Sequence, residues 1–223
     1  MHIVALTGAG ISRESGLKTF RDEDGLWGGY SIEEVCTPRA LAEHPERVLE
    51  FYNFRRREVV NAEPNAAHFA LAELASQHLV SIITQNIDDL HERAGSKNVL
   101  HIHGEIFKAR SSYDFEVQQE IRGDIRLGDL ADDGHQLRPH ICFFEETPYD
   151  WETAIMLAES AEIFLIIGTS LTVYPAAGLV DISNAKRKVL VDPKPNAKGR
   201  ANVEIIAESA TEGVPRLVAE LLG

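Results

Sequence analysis

The chain has 223 residues, of which 44% are hydrophobic and 26% charged, a composition typical of a folded globular protein. At about 100–200 residues per domain, this length predicts one large domain, or one domain with a small insertion. The formal net charge is −13, which argues against nucleic acid as the main partner because binding to phosphates needs a basic face.

Cysteine content and apolar patterning predict the compartment. Cys36 and Cys142 could pair only with each other, so a disulfide framework is excluded and a cytoplasmic location is expected. The first residues lack the basic region of a signal peptide. The longest apolar run, around residues 163–167, is far shorter than a membrane span, so no membrane partner is expected.

Short apolar runs rich in β-branched residues predict strands that are buried on both faces, because they show no alternation with polar residues. These runs are residues 3–6, 79–83, 99–102, 163–167, 189–191 and 203–206. Helical spacing of apolar residues occurs between them, at residues 45–60, 64–74, 151–161 and 214–222. This alternation predicts an α/β fold with a doubly wound parallel sheet.

Two stretches interrupt the alternation. Residues 30–65 have a mainly helical pattern, and residues 106–137 are polar and acidic with weak periodicity. We expect both to be insertions that together form a small second module, helical in character. The sheet domain would then comprise residues 1–29, 66–105 and 138–223.

The first predicted strand runs into Gly8-Ala9-Gly10-Ile11-Ser12. Glycines at this point let the backbone approach a pyrophosphate in front of a helix N-terminus. The spacing departs from Gly-x-Gly-x-x-Gly because position 13 is Arg. A tight strand–helix turn without a ligand would explain the same glycines.

Polar residues also follow the second predicted strand, as Thr84-Gln85-Asn86-Ile87-Asp88. The carboxyl ends of strands are where open α/β sheets bind ligands. Asn86 or Asp88 could instead cap a helix, although capping does not explain all three polar residues together.

His101-Ile102-His103-Gly104 closes the third predicted strand. The two histidines point to the same face of an extended strand. His103 meets a glycine and lies near the Gln85–Asp88 cluster, where a base with a pKa near 6.5 would be useful, so we predict a catalytic role for it. For His101 we predict a structural role. Gly168-Thr169-Ser170 follows the 163–167 run in the same way and suits contact with phosphate or ribose.

These motifs occur together with Phe20-Arg21 and Leu137-Arg138-Pro139-His140. Their order and approximate spacing resemble those of the sirtuins, the NAD-dependent protein lysine deacylases, over nearly the whole chain. The resemblance implies a Rossmann-like sheet domain, NAD as the cofactor and acyl-lysine proteins or peptides as substrates. It implies catalytic roles for His103 and Asn86. The implied NAD-binding residues are Gly8, Ala9, Gly10, Ser12, Phe20, Arg21, Gln85, Asn86, Asp88, Gly168, Ser170 and Asp192.

The reaction that the resemblance implies begins with attack of the acyl carbonyl oxygen on the ribose C1′ as nicotinamide leaves. His103 then acts as general base on a ribose hydroxyl. Water finally gives free lysine and O-acyl-ADP-ribose. Two alternatives stay open at this stage. One is an NAD glycohydrolase or ADP-ribosyltransferase with the same pocket, and the other is a non-catalytic NAD-binding module.

Within the family, the chain looks most like the class that removes acidic acyl groups such as succinyl and malonyl, with acetyl as a further candidate. Tyr52 and Arg55 match its Tyr-x-x-Arg pair, and residues at i and i+3 share one helix face. A guanidinium can bind a carboxylate through two charge-assisted hydrogen bonds. The alternative is a solvated Arg face, expected for Arg56 and Arg57, with Tyr52 packed in the core. Cys36 would line the acyl channel.

The chain also departs from the family pattern. Most sirtuins bind zinc with four cysteines in the stretch that here spans residues 105–141, which contains no Cys. We therefore expect no structural zinc. Ser111 lies near the position of the first missing cysteine ligand, and we expect the cluster of Asp132, Asp133 and His135 to be solvated rather than to bind metal. Phe144-Glu145-Glu146 replaces a Phe-Gly-Glu segment that pairs with the substrate peptide, so docking near Phe144 could change. Asp192 stands where Asn is common.

Overall fold

Two β-sheets organise the structure, a computed structural model that describes residues 1–18, 30–197, 200 and 202–223. The strands are β1 (His2–Thr7), β2 (Leu79–Thr84), β3 (Val99–His101), β4 (Gly104–Ser111), β5 (Gln118–Glu120), β6 (Leu137–Ile141), β7 (Ile163–Ile167), β8 (Arg187–Val191) and β9 (Val203–Ile206). The α-helices are α1 (Ile32–Val35), α2 (Pro38–Glu43), α3 (Pro45–Asn61), α4 (Ala66–Leu74), α5 (Leu90–Arg93), α6 (Trp151–Ser160), α7 (Leu179–Ile182) and α8 (Ala210–Leu222).

The larger sheet has the strand order β3-β2-β1-β7-β8-β9, and all its neighbours pair in parallel. The chain builds outward from β1 to β3 and then crosses to β7, so the strand order reverses between β1 and β7. In open α/β sheets, ligands bind at the carboxyl ends of the strands beside such a reversal. The topology therefore locates the candidate site at the ends of β1 and β7.

Apolar side chains cover both faces of this sheet. Leu71 of α4 and Leu217 of α8 pack on one face. Ala158 of α6 and Val180 of α7 pack on the other. Because helices bury both faces, the strands need apolar residues at every position, and each of the six predicted runs forms a strand. The doubly wound α/β fold is confirmed.

The second insertion differs from the helical module expected from the sequence. It forms β4 and β5, which pair antiparallel with each other, and β6 pairs with β4 on the other side. Short strands with exposed residues, such as the fully exposed β5, carry little periodicity, so the pattern did not reveal them. The division of the chain into two units at the boundaries given above stays a prediction.

Polar side chains of α3 join the helical insertion to this small sheet. The Asn53 side chain donates to the Ile125 carbonyl at 2.8 Å and accepts from the Ile125 N–H at 2.9 Å. Arg56 Nε donates to the Ile106 carbonyl at 2.8 Å. Arg56 is only 1% exposed, so the expectation that it belongs to a solvated face is wrong. Arg57 does lie on the surface, where it pairs with Asp124.

A buried hydroxyl organises the turn after β4. Ser111 Oγ donates to Asp133 Oδ2 at 2.6 Å and accepts from the N–H groups of Tyr113 and Asp114 at 3.0 and 3.2 Å. His135 stacks on Tyr113 with ring centroids 4.6 Å apart. Hydrogen bonds and one ring contact therefore hold this turn together.

Within the described ranges, no group of three or more His, Cys, Asp or Glu side chains could hold a metal ion. The helices seen in those same ranges are also too short or too polar to cross a membrane.

We predict that Ser111→Ala lowers the free energy of unfolding by about 1–3 kcal/mol, because it leaves two backbone N–H groups without their acceptor. Urea unfolding followed by circular dichroism measures this loss. Ser112→Ala, at the exposed neighbouring position, is the matched control. Equal stabilities of the two variants would contradict the proposed importance of Ser111.

Candidate functional site

Two glycine loops meet at the strand reversal. The Gly8 N–H donates to the Ile167 carbonyl at 3.0 Å, and the Gly10 N–H donates to the Gly168 carbonyl at 2.8 Å. A Cβ on Gly10 would lie 2.6 Å from the Gly168 Cα, and Gly168 itself has a φ of 60°. The glycines are therefore needed for the close packing of the two loops, which joins the ends of β1 and β7 into one surface.

Three polar side chains form a buried chain beside these loops. Asn86 Nδ2 donates to Ser12 Oγ at 3.1 Å, and Ser12 Oγ donates to Asp88 Oδ2 at 3.1 Å. Asp88 Oδ1 accepts from the Leu90 N–H at 3.2 Å. Burial raises the pKa of Asp88, although the bonds from Leu90 and Ser12 oppose this shift. The set offers an amide and an acid side by side, which suits a ligand carboxamide that both donates and accepts.

The other predicted cofactor residues follow neighbouring strands at the same edge. Gln85 Nε2 donates to Thr169 Oγ1 at 3.2 Å, which links the loops after β2 and β7. Ser170 lies next along the chain and bonds Thr172. Asp192 follows β8 and is buried, and its Oδ1 accepts from the Lys194 N–H at 2.8 Å. Phe20 and Arg21 lie outside the described residues.

His103 lies against the loop after β2, with its Nδ1 3.2 Å from the Gln85 carbonyl oxygen. A carbonyl only accepts, so Nδ1 carries the hydrogen and Nε2 keeps its lone pair. Burial lowers the pKa of His103, and the bond to Gln85 opposes this shift only in part. The imidazole is therefore a neutral base at pH 7, as a general base requires.

His101 has the opposite electrostatic surroundings. Its Nδ1 lies 3.0 Å from the Asn86 carbonyl oxygen and its Nε2 lies 2.8 Å from Glu92 Oε1. Burial alone would lower the pKa of His101, but the hydrogen bond to Glu92 and the charges of Glu92 and Glu105 raise it. The net pKa is above its ordinary value.

The residues predicted to bind substrate lie on the helical insertion. The Tyr52 hydroxyl donates to Cys36 Sγ at 3.2 Å, and the Tyr52 ring stacks on Phe143 with centroids 5.7 Å apart. The Phe144 N–H donates to the Cys36 carbonyl at 2.9 Å. Burial raises the pKa of both Tyr52 and Cys36. These residues therefore form one neutral, largely apolar cluster.

Arg55 lies one turn further along α3. It is 5% exposed, and its Nη1 donates to Glu58 Oε2 at 2.7 Å. A buried guanidinium is costly unless it is paired. Glu58 supplies that negative charge, and its i,i+3 spacing from Arg55 on the predicted helix was the sequence signal for this partner.

The segment Phe144-Glu145-Glu146 keeps a conformation that normally favours glycine. Glu145 has a φ of 76°, in the left-handed region that costs a side-chain-bearing residue about 1–2 kcal/mol. Arg138 holds the turn by donating to Glu146 Oε1 at 2.8 Å and to Oε2 at 3.3 Å. Glu145 therefore takes a backbone conformation that glycine adopts without this cost.

Comparison with known proteins gives concordant matches. A sequence profile of the Sir2 family matches residues 8–175. A protein of Aggregatibacter actinomycetemcomitans named NAD-dependent protein deacylase is 55% identical over 194 residues, 86% of this chain and 93% of that protein. A Helicobacter pylori protein of the same name is 49% identical over 225 residues, 99% of this chain and 97% of that protein.

Solved structures agree in fold. A mutant Sir2 homologue in complex with ADP-ribose has a TM-score of 0.90 at 37% identity, with 99% of this chain and 92% of that chain covered. The complex of a Sir2 homologue with NAD has a TM-score of 0.89 at 38% identity, with 99% of this chain and 89% of that chain covered.

We predict that the two neighbouring histidines titrate in opposite directions from an ordinary histidine. The pKa of His103 should lie below 6.5 because of burial, and that of His101 should lie above 6.5 because of Glu92. Side-chain NMR of isotope-labelled protein across pH 4–9 measures both. Titration of the two rings at the same pH would contradict the site geometry.

Proposed function

Because the chain belongs to the Sir2 family, we propose that it uses NAD to deacylate lysine side chains of proteins or peptides, and that it prefers acyl groups ending in a carboxylate. The general activity is that of an NAD-dependent protein deacylase. The single observation that carries it here is the meeting of the Ser12–Asn86–Asp88 chain with the neutral base His103 at one sheet edge.

The residues present fit NAD. The buried amide of Asn86 and the buried acid of Asp88 complement the nicotinamide carboxamide. The loops of Gly8–Gly10 and Gly168–Ser170 would lie close to the phosphates, because their glycines carry no side chains, and Asp192 would accept an adenosine ribose hydroxyl. When bound, NAD supplies a ribose carbon that accepts the acyl oxygen as nicotinamide leaves.

His103 would move the proton that this chemistry requires. It accepts the proton at Nε2, because the Nδ1 hydrogen stays bound to the Gln85 carbonyl. The resulting imidazolium keeps that carbonyl as a partner for its positive Nδ1–H group. Asn86 would contribute by orienting the ligand amide, since its side chain is already fixed by Ser12.

The acyl group would enter beside Cys36, Tyr52 and Phe143, and its carboxylate would meet Arg55 and the Tyr52 hydroxyl. The ion pair with Glu58 supports this assignment only in that it stabilises a charged guanidinium at this buried position, which binding of a carboxylate requires. The peptide backbone would pair near Phe144, where Glu145 keeps the left-handed turn.

We also propose that the small sheet needs no zinc. The Ser111 hydroxyl, the ring contact of Tyr113 with His135 and the core around Ile125 support this proposal. Less than stoichiometric metal in the purified, active protein is the expected result of elemental analysis. The cytoplasmic location remains a prediction from the cysteine content.

We predict that nicotinamide is released from NAD only when an acyl-lysine peptide is present, and that His103→Tyr abolishes this turnover. The reason is that nicotinamide leaves only as an acyl oxygen replaces it, and without the base the reaction cannot continue past this exchange, so release stops after at most one nicotinamide per enzyme molecule. Liquid chromatography of nicotinamide with and without peptide measures it, and thermal unfolding checks the fold of the variant. Release without peptide would support an NAD glycohydrolase or ADP-ribosyltransferase, and full activity of the variant would remove His103 from the mechanism.

We predict that Arg55→Met lowers kcat/KM for a succinyl-lysine peptide by about 10–100-fold, the cost of losing a charged hydrogen bond of about 1.5–3 kcal/mol. The acetyl-lysine peptide should be affected much less. The ratio of the two kcat/KM values is the measurement, because it cancels any loss of folded protein. Arg57→Met, on the exposed face of the same helix, is the control. Equal losses for both acyl groups would overturn the carboxylate assignment.

A further inference from the structure

The loop that carries Gln85, Asn86 and Asp88 is held by its carbonyl groups. The Ile87 carbonyl accepts from the Ile106 N–H at 2.8 Å. The Gln85 carbonyl faces His103 and the Asn86 carbonyl faces His101. Two of three consecutive carbonyls in the proposed catalytic loop are therefore bound by histidine side chains.

The partners of His101 fix its protonation state. A backbone carbonyl and an ionised carboxylate can only accept hydrogen bonds, so both ring nitrogens of His101 must carry hydrogen to satisfy them. That is the imidazolium form. A neutral ring has one N–H and must give up either the Asn86 carbonyl or Glu92.

The charges around His101 favour the imidazolium. A cavity of about 90 Å³ separates this ring from the small sheet. Besides Glu92, the acidic groups that face His101 or line this cavity are Asp88, Asp89, Glu105 and Glu120. The basic groups there are Lys108 and Arg122, which pair with Glu105 and Asp89. His91, which packs from α5, is buried and has a pKa well below its ordinary value, so it is neutral.

We propose that His101 and Glu92 are a positioning pair that ties the Asn86 carbonyl, and with it the catalytic loop, to α5, and that both hydrogen bonds of this tie form only while the His101 ring is positively charged. Neither side chain is assigned a chemical step. The consequence for catalysis rests on the proposed function, whereas the coupling of the loop to the charge does not.

The sign of the pH effect follows from the two histidines. The folded-state pKa of His101 is raised, so its contribution is complete below the ordinary histidine pKa and is lost as pH rises through the folded-state value. The pKa of His103 is lowered, so the base becomes active as pH rises through a value below 6.5. Activity should therefore occupy the window between the two values.

The test uses Glu92→Gln, which keeps an oxygen acceptor for Nε2 but removes the charge. In the wild-type protein without NAD, the carbonyl carbon of Asn86 should change its NMR shift with the same midpoint as the His101 ring. In the variant, both midpoints and the alkaline limb of the kcat/KM profile should move together to lower pH. Glu159→Gln, on the exposed surface of α6, is the control and should leave all three unchanged.

A second variant guards against a general loss of structure. His101→Gln cannot titrate, so its Asn86 carbonyl shift should lose the alkaline transition and its kcat/KM profile should lose the corresponding limb, even if activity is reduced. The proposal would be overturned if the NMR shift of the Asn86 carbonyl carbon did not change when the His101 ring loses its charge. Absence of deacylation with every acyl peptide would refute the proposed function, but the NMR coupling would still decide the positioning pair.

Discussion

The close approach of two backbone loops is the constraint on which the site depends. Gly10 and Gly168 pack so tightly that a Cβ on Gly10 has no room. This contact is possible because β1 and β7 are parallel neighbours, so their carboxyl ends lie side by side. Gln85 then bridges to Thr169, so the loop after β2 is tied to the same surface.

The second constraint is that buried backbone N–H and C=O groups need hydrogen-bond partners. Side chains provide these partners where α3 meets the second insertion and where the loop after β2 meets the two histidines. Asn53 and Arg56 of α3 donate hydrogen bonds to backbone carbonyls of the second insertion. Ser111 accepts from a backbone N–H group in the turn after β4. His101 and His103 form hydrogen bonds with the backbone carbonyls of Asn86 and Gln85 in the loop after β2. Unsatisfied groups in these places would each cost about 1–3 kcal/mol, so the same bonds that complete the fold also fix the site.

Local charge, rather than the net charge of −13, determines the chemistry. His101 and His103 are two residues apart, yet their pKa values move in opposite directions. Burial determines the shift of His103, whereas at His101 the effect of burial is outweighed by Glu92 and Glu105. In the proposed function, Arg55 is the local cation that an acidic protein needs to bind an acidic acyl group. Its pairing with Glu58 also keeps that cation tolerable in a buried position before any substrate arrives.

The sequence by itself determined which segments form the large sheet and which polar residues lie in the loops after its strands. Apolar runs without alternation define strands buried on both faces, and the polar residues that follow them must lie at one edge of a parallel sheet. Only the tertiary structure decided the rest. The partners of Glu92 and Glu146 follow from the way that strands and loops meet, which no motif encodes. Arg56 is buried because a carbonyl of β4 lies across from it. The weakly periodic second insertion became a sheet because α3 supplies its packing and hydrogen bonds. Local patterns report which face of an element is apolar, but the partner across a contact, and therefore the charge state of a histidine, is set only when distant elements meet.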